Sequence, residues 1–363
     1  MKRLIATAAA ALLAAACVLP LKSEAVSAKR ACVLDALSGR ILYEKNPDER
    51  SLIASTTKIM TALIVCEQCN VLDRMQIPKE AVGIEGSSMY LREGEILTLQ
   101  ELLYGLMLRS GNDAAVALAI YCGGTVEGFA GLMNDKARQL GMINSHFVNP
   151  NGLDAPGHYS TARDMAVLAA YAMQNPIFAQ TVSAKSVRIG DRIMQNHNKL
   201  LWQLEGADGV KTGYTKAAGR ILVSSATRQG RRLIVVTINA PNDWADHKKL
   251  LEEGFTRYAV RQIVFQGDCL GTVEVAGGQA NAVQLIAEED FLYAISPNEK
   301  VTVELSGTGF VYAPVAQDQQ AGYAYVCVDG KPVGKVAVRY GQTVELNKVE
   351  ETSHGKKRKG NAP

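Results

Sequence analysis

A serine hydroxyl and a lysine amine lie three residues apart in Ala54-Ser55-Thr56-Thr57-Lys58-Ile59-Met60-Thr61, where an apolar helical run begins. Positions i and i+3 share a helix face, so Oγ of Ser55 and Nζ of Lys58 can meet. Serine is a weak nucleophile at its free pKa and needs an adjacent base. A lysine becomes that base when burial or cationic neighbours bring its pKa toward neutrality. Alone, the pair fits equally well a helix start with a solvated lysine. Two further triplets change that reading. Ser110-Gly111-Asn112 follows the apolar run 102–108, and Lys211-Thr212-Gly213 opens a stretch leading to Ile221-Leu222-Val223. Each triplet alone is unspecific. The three in this order, at long spacings, are a specific signal.

The elements that must carry these residues follow from periodicity. Residues 31–34 and 41–43 alternate around Asp35–Gly39 and predict a β-hairpin. Helices are predicted from Ser55, from Thr98 to just before Ser110, over 113–121, and over 129–140, the last ended by Gly141. Asn149-Pro150-Asn151-Gly152-Leu153 is a turn cluster, and Ser160 or Thr161 offers an N-cap to a helix through Met173. Strands over 209–215, 219–227 and 232–239 form an antiparallel sheet with Lys211 on one of them, and a helix follows over 244–258. After Val264 short β-branched runs take over at 271–275, 282–286, 301–305, 309–315, 324–328 and 335–339, a small all-β module. The expected division is a signal segment over 1–25, a catalytic domain over 29–262, a β-sandwich-like domain over 265–346, and a polar basic tail over 347–363.

Composition sets outer limits. A chain of 363 residues with 47% hydrophobic and 21% charged content is an ordinary globular protein with room for two domains. A net charge of +3 argues against a nucleic-acid partner. No HExxH, P-loop or GxGxxG stands in a supporting context, and the five histidines are scattered, so neither metal nor cofactor is called for. Lys2-Arg3 before the apolar run 4–19, then small residues around Ala25 and Ala28, read as an export signal cleaved after one of those alanines. Pro20 and Lys22 close the run too early for a membrane span, and Ala14 stands where a lipobox has Leu before Cys17. The remaining cysteines, Cys32, Cys66, Cys69, Cys122, Cys269 and Cys327, are dispersed through apolar runs and read as buried free thiols. The lone Cys66-x-x-Cys69 makes no zinc site.

The motifs extend beyond triplets: Ser110-Gly111-Asn112-Asp113-Ala114-Ala115, the 149–153 turn, His158-Tyr159-Ser160-Thr161-Ala162-Arg163-Asp164, and Asp208-Gly209-Val210-Lys211-Thr212-Gly213-Tyr214-Thr215. With the Ser55 stretch, they resemble the low-molecular-mass penicillin-binding proteins of the D-alanyl-D-alanine carboxypeptidase type, peptidase family S11. The likeness is close over 30–262, and the β module is similar to the family's C-terminal domain. It implies an α+β, β-lactamase/transpeptidase-like domain, an antiparallel sheet packed with helices, followed by the all-β module. It also implies an exported, extracytoplasmic enzyme that removes the terminal D-alanine from peptidoglycan stem peptides and is acylated by β-lactams. In that scheme Ser55 is the nucleophile and Lys58 its proton acceptor. Ser110 relays protons to the leaving amine, while Asn112 holds the substrate amide and orients Lys58. Lys211 supplies positive field, and Thr212 with Thr215 binds the terminal carboxylate. The N–H groups of Ser55 and Tyr214 form the oxyanion hole. Gly213 has a reason of its own: a side chain there would block a substrate lying along the strand edge.

Alternatives stay in view. A class A β-lactamase needs a glutamate to activate the deacylating water, and none occurs between Glu127 and Glu205; Asp154 and Asp164 read better as turn and helix-start residues. A non-catalytic penicillin-binding sensor would normally have lost one of Ser55, Lys58, Ser110 or Lys211. D,D-endopeptidase action on cross-links is the nearer rival. Family members often end in an amphipathic helix, whereas the tail here is hydrophilic and basic, offering only weak electrostatic attraction to anionic lipid or wall polymer. His158 reads as a substrate contact or as packing on the turn, and Arg220 as a carboxylate ligand or a solvated charge.

Overall fold

The computed structural model describes residues 26–307 and 309–348; the expected signal segment and most of the polar tail lie outside them. A five-stranded antiparallel sheet has the order 41–45, 30–35, 231–238, 219–228, 207–215. Both ends of the domain therefore contribute to one sheet, and 207–215, carrying Lys211, is an edge strand. Its two faces are apolar for different partners. Ile221, Val223, Ile234 and Val236 join the large core with the helices described next, while Ala226, Leu233 and Val235 pack with Leu250 and Leu251 of the helix Asp243–Arg257.

The helical layer lies within residues 46–206, between the hairpin and the later strands, and consists of α1 (Lys58–Gln68), α2 (Leu99–Leu108), α3 (Asn112–Gly123), α4 (Val126–Gln139), α5 (Ala162–Ala172) and α6 (Pro176–Ser183). α1 is buried along nearly its whole length and is the central helix of this layer. The helix expected from Ser55 begins instead as a 3-10 turn, Ala54–Thr57, and becomes α-helical at Lys58. Thr98 starts α2 with a reciprocal capping box to Glu101, and Thr161 rather than Ser160 caps α5 by accepting from the Asp164 N–H. α6 and the hairpin of Ser186–Ile189 with Arg192–Gln195 were not foreseen; each is too short to show a period of its own.

One cysteine expectation fails. Cys69, at the end of α1, and Cys122, in the last turn of α3, pair as a disulfide with Cα atoms 6.8 Å apart. The packing of α1 on α3 brings together residues that are 53 apart in sequence. Cys32, Cys66 and Cys327 are buried free thiols, whereas Cys269 is free and exposed.

The C-terminal part is all β, as expected. Its six-stranded sheet runs 301–306, 320–328, 331–340, 282–287, 269–276, 310–312, antiparallel except for the last pair. The strand Ala259–Val264, directly after the last helix, pairs with Phe291–Ile295. Arg40, in the turn of the first hairpin, ties the two parts together. It donates to the Ala294 carbonyl (2.6 Å) and to Glu299 (2.7 Å), and its guanidinium lies 5.0 and 5.2 Å from the Tyr258 and Tyr293 ring centres.

Candidate active site

Ser55 sits in the 3-10 turn that feeds α1, so the helix presents Lys58 directly beneath it. Lys58 Nζ lies 3.0 Å from Ser55 Oγ, 2.7 Å from Asn112 Oδ1 and 2.6 Å from the Asn151 carbonyl. The lysine is fully buried. That burial, reinforced by the charge of Lys211 and opposed by Asp113, holds its ammonium well below the ordinary lysine range. Three acceptors around one amine define a protonation switch. A neutral amine has two N–H bonds, which Asn112 and Asn151 can accept, leaving the lone pair for the Ser55 hydroxyl proton.

Two tight packings hold the turn. Ala54 adopts a left-handed φ of +44°. Gly152 (φ +85°) lies against it: an added Cβ would overlap the Ala54 carbonyl and come within 2.8 Å of Thr57 Oγ1. The 149–153 turn is thereby pressed onto the nucleophile's own backbone, which is what brings the Asn151 carbonyl to Lys58. Thr61 adds a hydrogen bond to the Pro150 carbonyl at 2.6 Å. His158, 2% exposed, is no substrate contact; it packs beneath this turn. Its Nδ1 accepts from the Val148 N–H (3.2 Å), so Nε2 carries the proton toward Thr57 Oγ1 at 2.8 Å. Burial, with a minor contribution from His146, pushes its pKa down to about 4 and keeps it neutral.

Ser110 and Asn112 come from the α2–α3 junction, where Ser110 takes a left-handed φ of +62°. Asn112 donates from Nδ2 to the Glu85 carbonyl (2.6 Å), which fixes its amide so that Oδ1 faces Lys58. Asp113 accepts from Ser88 Oγ (2.5 Å) and from the backbone N–H groups of Met89 and Leu91 (both 3.1 Å). It anchors the 86–91 loop over the site. Asp113 belongs to the Ser110-Gly111-Asn112-Asp113-Ala114-Ala115 stretch, but its residue type alone does not reveal this anchoring role.

On the edge strand Lys211 is buried, donates to the Thr212 carbonyl (2.9 Å) and is pushed down to about 7 by burial. Alternation places Thr212 and Tyr214 on the other face, where both line a cleft of about 810 Å³ with Ser55 and Ser110. One expectation is extended and another changes here. A Cβ on Gly213 would lie 3.2 Å from Thr56 Cγ2 and 3.3 Å from the Ile53 carbonyl. Gly213 also lines the cleft, and the glycine in addition serves the fit of strand to nucleophile turn. Thr215 does not line the cleft: its hydroxyl donates to Asp154 (3.2 Å) and accepts from the Ala218 N–H (3.0 Å). Arg220, paired with Tyr214 across the strands, takes the place beside Thr212; Asp243 holds it through Nε (3.1 Å) and Nη2 (2.9 Å). Asp164 is engaged by the Asn144 N–H (3.1 Å) and Ser145 Oγ (2.7 Å), whereas Asp154 is exposed and accepts from Thr215 Oγ1.

An α+β fold that closes a buried lysine onto a serine hydroxyl places the chain among active-site serine enzymes. Comparison with known proteins narrows this. Residues 18–242 match the D-alanyl-D-alanine carboxypeptidase model of peptidase family S11, and residues 258–346 match the penicillin-binding protein 5 C-terminal domain. The chain is 31% identical to the D-alanyl-D-alanine carboxypeptidase DacF of Bacillus subtilis, over 86% of this chain and 84% of that one. It is 36% identical to DacC of Escherichia coli, over 73% and 72% respectively. Penicillin-binding protein 5 from Haemophilus influenzae superimposes with a TM-score of 0.78 at 32% identity, covering 88% of this chain and 98% of that chain. The chain belongs to the D-alanyl-D-alanine carboxypeptidase family.

Proposed function

We propose that the protein is a serine D-alanyl-D-alanine carboxypeptidase that trims stem peptides through an acyl-enzyme on Ser55. The observation that carries this is the contact of Lys58 Nζ with Ser55 Oγ, made by an amine that burial keeps poor in protons. Lys58 takes the hydroxyl proton as Oγ attacks the penultimate D-alanine carbonyl. The N–H groups of Ser55 and Tyr214 receive the oxyanion, an effect of ~3 kcal/mol per donor. Ser110 passes the proton to the departing amine, and Asn112 steadies the substrate amide. Lys211 supplies positive field. The terminal carboxylate is received by Thr212, with Arg220 in the part that the family resemblance assigns to Thr215. Water then releases the shortened peptide.

The division into a catalytic unit over 29–262 and a β module over 265–346 belongs to the same reading, as do β-lactams as covalent inhibitors and an extracytoplasmic place of work. The roles of Ser55, Lys58, Ser110, Asn112, Lys211, Thr212 and Tyr214 rest on their convergence around one cleft and one buried amine. The test is D-alanine release from diacyl-Lys-D-Ala-D-Ala by the wild type and by Ser55→Ala. Release abolished by the substitution, together with penicillin labelling of Ser55, is the expected result. Release that persists in Ser55→Ala would overturn the reading.

A further inference from the structure

The cleft is built for more than a D-Ala-D-Ala end. Its volume of about 810 Å³ sits at the upper part of the range for small-molecule sites. The chain has only two tryptophans, Trp202 and Trp244, and both line it. Trp202 is 47% exposed although Lys185 Nζ stands 5.9 Å from its ring centre, so much of its apolar surface remains open to a ligand in the cleft.

The charges lining this cleft are unbalanced. Asp243 is the only acidic side chain among the lining residues, and it is held by Arg220. That leaves Arg109 and Lys199. Neither side chain has a hydrogen-bond or ion-pair partner among the described residues, although arginine pairs with carboxylates are frequent elsewhere in the molecule. His197 also lines the cleft and lies within the field of Lys211 and of Arg109. A cleft with unpaired cations and low-dielectric aromatic walls concentrates anions.

We infer that Arg109 and Lys199 form a second anion subsite, distinct from the Thr212–Arg220 corner, which receives an additional free carboxylate on the peptide substrate while Trp202 covers its aliphatic part. This rests on the proposed carboxypeptidase reading and deepens it: the preferred substrate is a doubly anionic peptide, and amidation of its second carboxylate weakens turnover. Attraction from two partly exposed cations corresponds to a preference of about tenfold, smaller at high salt.

The test uses Nα,Nε-diacetyl-Lys-D-Ala-D-Ala and analogues in which the Nα or the Nε acetyl is replaced by succinyl or by its neutral isostere, succinamyl. At least one succinyl peptide should exceed its succinamyl partner about tenfold in kcat/KM, and that ratio should fall toward one in Arg109→Gln/Lys199→Gln and at high salt. Equal turnover of both pairs would overturn the subsite. A ratio unchanged in the double variant would overturn its assignment to these residues. If no peptide releases D-alanine, it is the carboxypeptidase reading that fails. The same ratio is then read from competition of the peptides with penicillin labelling of Ser55, where equal competition again overturns the subsite.

Discussion

Lys58 sets the pH behaviour of the proposed chemistry. An unperturbed lysine is neutral in only about one molecule in 2,500 at pH 7, and acylation through it would climb tenfold per pH unit. Burial and the Lys211 charge disfavour the ammonium of Lys58, so the neutral form is populated at lower pH. Acylation by penicillin should therefore level off well below pH 10.5; a rise continuing to that pH would remove Lys58 as the base. Lys211 works in the opposite sense. Pushed down to about 7, it sheds its charge as pH rises through that value, so the rate should turn downward on the alkaline side. Because the two amines interact, both limbs belong to the pair. The identities of Ser55, Lys58, Ser110 and Lys211 were legible in the sequence because motifs fix residue type. The burial of both lysines was not, since it depends on what the fold stacks over them. The same holds for Thr215 and Arg220, where strand alternation and a partner strand decide which side chain reaches the cleft.

At the scale of elements, the site depends on contacts that no single segment encodes. The 149–153 turn was legible from its Asn, Pro and Gly residues, but its purpose was not: it delivers the Asn151 carbonyl to Lys58 and, through Gly152, seats itself on the Ala54 carbonyl. Gly152→Ala meets both a left-handed φ and that carbonyl, so the turn must lift. A loss of about 2 kcal/mol or more of stability is expected in urea unfolding. Penicillin acylation should slow at least tenfold as the Asn151 contact opens. Unchanged acylation would show that this contact does not orient the amine. The bounds of α2 and α3 follow from the sequence to within two residues, because polar residues at Thr98, Ser110 and Asn112 mark where the apolar runs begin and end. The 3-10 turn at Ser55 was not, because the tight turn is imposed by the packing of Gly152 and Gly213 from elsewhere in the chain.

At the scale of the molecule, residues 55, 110, 151 and 211 come from a turn, a helix junction, a loop and an edge strand, so the site exists only when both layers are assembled. The β-rich end could be read from the change in periodicity near Val264, while the α+β class followed from the family resemblance. The Arg40 tie to Glu299 could not, since it joins positions 259 apart. The left-handed backbone at Ser110 carries a further consequence, for heat resistance. A non-glycine residue at φ +62° costs about 1 kcal/mol that glycine would not. Ser110→Gly should thus raise Tm by roughly 2 °C while removing the hydroxyl on which turnover is proposed to depend. A lower Tm in that variant would mean that the surroundings reward the serine enough to cancel its backbone cost. A higher one would mark Ser110 as a place where thermal endurance has been given up for reactivity.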